Sequence, residues 1–175
     1  MQALNFIVRT LLELYTLAFL LRFVLQWARA DFHNPLSQFI LQVTNPVTRP
    51  VRRFIPGWRG IDLSTLLIAY LLNVATIAGS YLILGGSFPD IPSLLLAALI
   101  GLVVMFLRMF VFLIIGQVLL SWFAPYHPIS GILRTLTGPI LGPIQRIVPP
   151  IAGIDLSPLF ALIGIQALLL LVSGL

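Results

Sequence analysis

The sequence predicts an all-α membrane protein with four transmembrane helices, arranged as two tandem parallel repeats that each carry an amphipathic, proline-rich interfacial connector. Two observations predict this fold class. The first is composition, since 59% of the 175 residues are hydrophobic and 9% are charged. The mean hydropathy is +1.08, and several apolar runs of about twenty residues are each long enough to cross a bilayer. The second is that one polar segment occurs twice.

The repeated segment divides the chain. Residues 44–64 read TNPVTRPVRRFIPGWRGIDLS, and residues 137–157 read TGPILGPIQRIVPPIAGIDLS. Over residues 44–68, eleven of 25 positions are identical to the residue 93 positions later, and many of these identities are proline, glycine, arginine or aspartate. Upstream, Trp27 matches Trp122 with an offset of 95. Because an apolar bias does not produce identities of these types, we predict an internal duplication.

Each predicted repeat consists of a span, a connector and a second span. The first repeat, 1–84, holds spans 3–27 and 61–84 around the connector 28–60; the second, 97–175, holds spans 97–123 and 154–173 around the connector 124–153. Residues 85–96 join the repeats, either as a simple hairpin or as an interfacial segment. Because Ser93 to Phe123 is long for one straight span, a tilt, a bend near Gly101 or an interfacial start would each account for it.

The placement of charge predicts the orientation. All ten basic residues are arginine. The connectors hold Arg29, Arg49, Arg52, Arg53, Arg59, Arg134 and Arg146 against the single acid Asp31. The hairpin between the repeats holds only Asp90. The positive-inside rule therefore predicts that both connectors are cytoplasmic and both termini lie outside. Since both halves have two spans, they share one orientation, with a pseudo-twofold axis along the membrane normal.

The connectors have the pattern of short helices that lie in the membrane interface. Asn34 is a predicted N-cap before Pro35, and both connectors continue with apolar residues at helical spacing: Leu36, Phe39, Ile40 and Val43 in the first, and Ile129, Ile132, Leu133 and Leu136 in the second. A separate short turn is predicted from Pro50 to Pro56, because proline favours helix starts and stops. One apolar face on a segment too short to span is typical of an interfacial helix.

The connector arginines are candidates for binding lipid phosphate or an acidic partner, because the guanidinium group offers a planar fork of donors that matches phosphate oxygens. The candidates are Arg49, Arg52, Arg53, Arg59 and Arg146. The alternative is that they only set topology and extend to the membrane surface. Arg53 and its copy Arg146 argue against this alternative, since topology does not require a fixed position. The formal net charge of +5 therefore indicates lipid rather than direct contact with nucleic acid.

Two aspartates begin the second span of each repeat. Asp62 and Asp155 stand in GIDLS motifs with Ser64 and Ser157. Their position at a helix start predicts N-caps at the positive end of the helix dipole. A salt bridge to Arg53 or Arg146 within the same half is a compatible second role.

Four polar residues lie near the middle of predicted spans: Glu13, Asn73, Arg108 and Gln166. Our hypothesis is that Glu13 pairs with Arg108 across the pseudo-twofold axis, with the two amides forming interhelical hydrogen bonds nearby. Such groups either hold helices together or line an ion or proton path. Arg9 competes as a partner of Glu13. Arg22 and its counterpart Gln117 lie nearer the predicted cytoplasmic end, where Arg22 can extend to the surface.

Several kinds of chemistry have no residues to carry them. Cysteine is absent, which excludes disulfides, thiolate metal sites and covalent haem attachment through this chain. His33 and His127 precede prolines at different spacings, which does not indicate a metal or haem pair. No nucleophile–base set is recognisable. We expect neither a cofactor nor enzymatic activity.

The two-copy motif TxPxxxPxxRxxP followed by GIDLS resembles the YggT family of bacterial integral membrane proteins, whose YlmG relatives extend to plastids. The resemblance covers essentially the whole chain. The signature residues match Asn34, Pro35, Thr44, Pro46, Pro50, Arg53, Pro56, Asp62 and Ser64, and in the second half Thr137, Pro139, Pro143, Arg146, Pro149, Asp155 and Ser157. The second copy departs from the first by lacking an asparagine before Pro128 and by having Gln145 where the first has Arg52.

The resemblance implies a bacterial inner-membrane protein that is not an enzyme. Members of the family are linked with osmotic or potassium stress, and plastid relatives with cytochrome b6 maturation and nucleoid organisation. We expect a platform whose cytoplasmic connectors bind anionic phospholipid or a membrane or cytoplasmic protein. The alternative is a component of ion transport that works as a homo-oligomer and supports osmotic balance. It would depend on the polar residues within the spans, Glu13, Asn73, Arg108 and Gln166. The platform would depend on Arg53 and Arg146. The partner, the ion, the state of oligomerisation and whether both repeats bind the same ligand stay open.

Overall fold

A computed structural model describes residues 1–55, 57, 62–149 and 155–174. Over these ranges the chain is all-helical, as predicted, and contains six α-helices and no strand. The helices are α1 (Gln2–Trp27), α2 (Pro35–Arg52), α3 (Leu63–Leu84), α4 (Ile91–Phe123), α5 (Pro128–Ile147) and α6 (Ser157–Ser173).

Three of these helices, α1, α3 and α4, are long and apolar enough to cross a membrane. Helix α6 is also apolar but has only 17 residues. Helix α4 begins at Ile91, earlier than the predicted start at residue 97, and it continues without a break through Gly101. At 1.5 Å per residue its 33 residues extend about 50 Å, well beyond the hydrocarbon thickness of about 30 Å.

The turn between α3 and α4 is short. Gly85 ends α3 in the left-handed region at φ 72°, a conformation that glycine adopts without the steric penalty of a Cβ atom. Asp90 then accepts a hydrogen bond from the backbone N–H of Ser93 at 3.2 Å in the first turn of α4. Helical structure resumes at Ile91, so the part of the predicted hairpin that follows belongs to the helix.

The described chain forms two compact units. The first contains residues 1–27 and 32–105, and the second contains residues 28–31 and 106–175, so that the division falls inside α4. In the first unit α1 packs against α2 and α3, and α2 also contacts α3. The core on α1 includes the buried side chains of Phe19, Leu20 and Leu25. In the second unit α5 packs against α6.

The two connector helices differ from the prediction, which placed every connector proline at a helix start or stop. Pro46 and Pro50 lie inside α2, and Pro139 and Pro143 lie inside α5. An internal proline removes one backbone hydrogen bond and costs about 3 kcal/mol. Contacts of α2 with α1 and α3 offset this cost, so that tertiary packing overrides the local preference and the separate turn predicted at Pro50 is part of α2.

Candidate functional site

The side of α2 that is buried is lined mainly by hydroxyl groups. Asn34 caps the helix by accepting a hydrogen bond from the N–H of Ser37 at 2.8 Å, as predicted. Beyond it, the buried residues are Ser37, Ile40, Thr44 and Thr48, which follow each other at helical spacing. Phe39, from the predicted apolar face, is 60% exposed. Ile40 of the same predicted face is buried, so only part of that face is exposed.

Thr44 lies opposite Arg22 of α1. Arg22 donates through Nη1 to Thr44 Oγ1 at 2.7 Å and to Asn45 Oδ1 at 2.9 Å. Only 3% of Arg22 is exposed, so the expectation that it extends to the surface is wrong. Charged groups are seldom buried without hydrogen-bonding partners, and α2 supplies two of them. Thr44 in turn donates to the carbonyl of Ile40 at 2.6 Å.

The carboxylate of Asp62 is buried at the start of α3 and accepts several hydrogen bonds. It caps the helix by accepting from the N–H of Thr65, as predicted, and it also accepts from the hydroxyls of Ser64 and Thr65. Arg52 of α2 donates to Asp62 Oδ2 through Nε at 3.1 Å and through Nη2. The basic partner is thus Arg52, and the predicted pairing with Arg53 is wrong.

These contacts determine the protonation of Asp62. Burial alone would raise the pKa of this carboxyl group. The hydrogen bonds from Arg52, Ser64 and Thr65 outweigh burial and lower the pKa from 3.8 to about 2. Asp62 is therefore ionised throughout the physiological range, and it serves as an anchor for Arg52.

The contacts join three helices into one arrangement, which we term the polar network. Arg52 Nη2 also donates to Gln26 Oε1 of α1 at 3.1 Å. The network consists of Arg22 and Gln26 on α1, Thr44, Asn45 and Arg52 on α2, and Asp62, Ser64 and Thr65 at the start of α3. Two arginines and one carboxylate leave it with an excess of positive charge. It fixes the connector helix to both neighbouring spans.

The second unit has related contacts in which glutamine stands in place of arginine. Gln117 accepts from Thr137, at the positions equivalent to Arg22 and Thr44. Gln145 donates to Asp155 at 2.8 Å, at the positions equivalent to Arg52 and Asp62. Asp155 is exposed, whereas Asp62 is buried. Its hydrogen bonds with Ser157 and Gln145 lower the pKa of Asp155 against the raising effect of burial.

The predicted N-cap role of Asp155 is corrected by the structure. The residue at the cap of α6 is Leu156, which has no side chain to accept a hydrogen bond. Asp155 accepts from the N–H of Ser157 at 2.9 Å instead. The residue equivalent to Thr65 is Pro158, which has no N–H to donate. The predicted salt bridge to Arg146 is replaced by the hydrogen bond from Gln145.

The other connector arginines lie outside the network contacts. Arg49, Arg53 and Arg146 are exposed and form no ion pair with another described residue. Arg59 lies outside the described residues. At the start of α5, His127 occupies the position of Asn34, and its Nδ1 accepts from the N–H of Ile129 at 3.2 Å. Among the described residues, no group of three or more His, Cys, Asp or Glu side chains can hold a metal ion.

The four polar residues predicted near mid-span have separate surroundings. Glu13 accepts from Arg9 Nε at 2.7 Å, the competing partner that the sequence offered. Asn73 is buried and donates to the carbonyl of Ala98 on α4 at 2.6 Å. Arg108 and Gln166 are exposed on α4 and α6. Because Glu13 and Arg108 belong to different units, their pairing stays a prediction.

Sequence reasoning missed four members of the network. Gln26, Asn45 and Thr65 are not repeated in the second half, and Arg22 was given a different role. The available signal was that Arg22 and Gln117 are equivalent and polar within otherwise apolar spans. A polar residue at matching positions of two apolar helices indicates an interhelical contact.

Together, these observations define a helical protein of the membrane class, with three helices apolar enough to cross a bilayer and with the connector helix α2 bound to α1 and α3. The family model for CCB3/YggT matches residues 1–83 and 96–175. The chain belongs to the CCB3/YggT family.

Relatives resemble the chain over nearly its whole length. An uncharacterized protein of Pseudomonas aeruginosa is 41% identical over 172 residues, which cover 95% of this chain and 86% of the relative. A Vibrio alginolyticus protein from the proC 3′ region is 40% identical, covering 95% and 91% of the two chains. Escherichia coli YggT is 36% identical, covering 91% and 83%. No solved structure gives a significant match.

Proposed function

We propose that this chain is a non-enzymatic inner-membrane protein with cytoplasmic connectors that bind anionic phospholipid and form an interfacial platform for a protein partner. In this proposal α6 is the fourth span. Its 17 residues extend about 25 Å, close to the lower limit for crossing a bilayer. The two halves are tandem repeats, which is supported by one family model matching residues 1–83 and 96–175.

The observation that carries the proposal is the composition of the connector surfaces. The exposed face of α2 and the residues after it carry Phe39, 60% exposed, and Phe54, 85% exposed, beside exposed Arg49 and Arg53. Aromatic side chains next to arginine suit a membrane interface, where rings contact acyl chains and guanidinium groups contact phosphate.

The second unit has the same combination. Trp122 and Phe123 at the end of α4 and Tyr126 in the following turn are strongly exposed, as is Ile147 beside the exposed Arg146. Tryptophan and tyrosine are enriched where a membrane protein crosses the interface. Exposed aromatic groups at the ends of a span and of a connector helix support contact with lipid head groups at this level.

The polar network explains how such a connector would be held. Arg22 and Gln26 bind α2 from α1, and Asp62 binds it from α3. A platform with a fixed surface loses less conformational entropy on binding than a flexible loop does. The network thus has a purpose in the platform even though most of its members do not reach the surface.

The test is the lipid that co-purifies from the native membrane. We expect the wild-type protein to retain anionic phospholipid above its share of the membrane, and the double variant Arg53→Gln, Arg146→Gln to retain less. The matched control, Ser87→Asp with Ser173→Asp, makes the same change in net charge on the predicted periplasmic side, in the hairpin and at the end of the last predicted span. Equal retention by wild type and the arginine variant would remove the basis of the proposal.

A second candidate is ion transport, and it has one observation in its favour. Arg108 and Gln166 are polar residues exposed on apolar helices, and polar groups within spans often line ion paths. Glu13 and Asn73 are less available, since each already has a partner within the first unit. Ion flux in proteoliposomes that depends on Arg108 and Gln166 would favour transport over the platform.

A further inference from the structure

Three arginines of the first unit are grouped on two helix stripes. On α1, Arg22 and Gln26 are one turn apart; on α2, Asn45, Arg49 and Arg52 follow each other along one side. The stripes are in contact at both ends, through Arg22 with Asn45 and through Gln26 with Arg52. Arg49 lies between these contacts along α2. Arg22, Arg49 and Arg52, which we term the arginine cluster, therefore lie along the contact between the two helices, with Asp62 also near enough to act on the charge of Arg22.

The charge of the cluster is not balanced by the network. Its carboxylate, Asp62, is bound by Arg52. Arg22 has neutral hydrogen-bonding partners in Thr44 and Asn45, and its Nε is buried without a hydrogen-bond partner in the described part of the chain. One carboxylate thus faces three cations, and a buried cation whose charge is only partly balanced is unfavourable. Arg49 is exposed and Arg52 is 42% exposed, so a soluble or lipid-borne anion can approach from their side.

The second unit provides an internal comparison. The positions equivalent to Arg22, Arg49 and Arg52 are Gln117, Gly142 and Gln145, while the carboxylate is retained as Asp155. The second unit therefore keeps the hydrogen-bonding scaffold but has none of the three positive charges. A purely structural role for the arginines is a weaker explanation, because neutral amides hold the equivalent positions: Gln145 donates to Asp155, and Gln117 accepts from Thr137 where Arg22 donates to Thr44.

We infer that the arginine cluster of the first unit binds one phosphate group, supplied by the head group of an anionic phospholipid, and that the second unit has no such site. Arg49 and Arg52 would contact the phosphate oxygens directly, because guanidinium groups bind phosphate with paired hydrogen bonds. Arg22 would not touch the phosphate but would attract it through its buried positive charge. The inference rests on the proposed function and makes it more specific, since it adds one defined phosphate site in the first unit to the lipid contact of both connectors.

The experiment measures thermal protection of the full chain in a neutral detergent. Wild-type protein is titrated with phosphatidylglycerol, with phosphatidylcholine and, in a separate arm, with inorganic phosphate. The variants are Arg49→Gln, which alters an exposed side chain, and Arg22→Gln, which introduces the residue of the second unit. Arg134→Gln is the control, because it removes one exposed arginine from α5. We expect Arg49→Gln to weaken phosphatidylglycerol binding about tenfold and Arg134→Gln to leave it within about twofold.

The three titrations distinguish a lipid head group from free phosphate, and the variants distinguish this inference from the proposed platform function. Protection by phosphatidylglycerol alone supports the lipid site, and protection by inorganic phosphate alone would overturn the lipid assignment. Equal weakening by Arg49→Gln and Arg134→Gln, or no weakening by Arg49→Gln, would overturn the inference. If binding then still depends on Arg53 and Arg146, the proposed platform stands without this site. If wild type does not distinguish the two lipids, both proposals fail.

Discussion

Neighbouring arginines at the end of α2 should differ sharply in their contribution to stability. Arg52 hydrogen-bonds to the buried carboxylate of Asp62 and to Gln26, whereas Arg53 is exposed and makes no ion pair with another described residue. The two residues share charge, size and helix end. Arg53→Ala is therefore a matched control for Arg52→Ala, and any difference between the two variants reports on the network.

The size of the difference follows from the shift in the pKa of Asp62. A pKa lowered from 3.8 to about 2 corresponds to roughly 2 kcal/mol of preference for the ionised form in the folded state. Arg52 supplies part of this preference, and its side chain is 42% exposed, so solvent screening reduces its share. We expect Arg52→Ala to lower the free energy of unfolding by about 1–2 kcal/mol, and Arg53→Ala by less than about 0.5 kcal/mol.

The assay is unfolding of the purified protein in a mild detergent at pH 7, followed by the loss of helical circular dichroism. A loss of 1–2 kcal/mol lowers Tm by roughly 2–8 °C for a chain of this size. Arg52→Gln should fall between wild type and Arg52→Ala, because Gln145 shows that glutamine can donate to the equivalent aspartate. If Arg52→Ala and Arg53→Ala lower Tm by the same amount, the assignment of Arg52 to a stabilising network is wrong.

Three further predictions test other contacts of the first unit. Because the pKa of Asp62 is lowered on folding, the contribution of Asp62 to the free energy of unfolding is complete above about pH 4 and is lost as the pH falls towards 2. The free energy of unfolding of Asp62→Asn should therefore change less steeply with pH over this range than that of wild type. An equal pH dependence in the two proteins would mean that other groups cause it. Gly101→Ala would place a Cβ atom 2.9 Å from Asn73 Nδ2, so we expect it to lower the free energy of unfolding by about 1–3 kcal/mol. Gly79→Ala is the control and should not destabilise the protein, because there is open space around the new atom. Similar Tm values for the two variants would contradict the close packing of Gly101 on Asn73. Thr44→Val removes a hydrogen-bond acceptor from the buried Arg22 and should lower the free energy of unfolding by about 1.5–3 kcal/mol. Thr137→Val should lower it less, because the partner of Thr137, Gln117, is neutral. If chemical denaturation gives the reverse order, the contact of Thr44 with a charged group does not stabilise the protein as proposed.

The sequence predicted the all-helical fold, most helix limits and the caps at Asn34 and Asp62, because these follow from local patterns of hydropathy and capping. It did not predict that Pro46 and Pro50 lie inside α2, since the contacts that offset their cost come from α1 and α3. The same limit explains the wrong partner for Asp62. The choice between Arg52 and Arg53 depends on which side of α2 faces α3, and adjacent helix positions differ by about 100°.

Comparing the two units separates what the scaffold requires from what it can vary. Both retain a threonine on the connector facing a polar group on the preceding span, and both join an aspartate to a donor near the connector's end. These contacts therefore need only hydrogen bonding, which glutamine provides. Arginine adds charge at the same positions in the first unit, where burial makes an unbalanced charge unfavourable. Arg52 has a carboxylate to pair with, whereas Arg22 hydrogen-bonds only to neutral groups, so the charge of Arg22 is the part of the network that the proposed anion would balance.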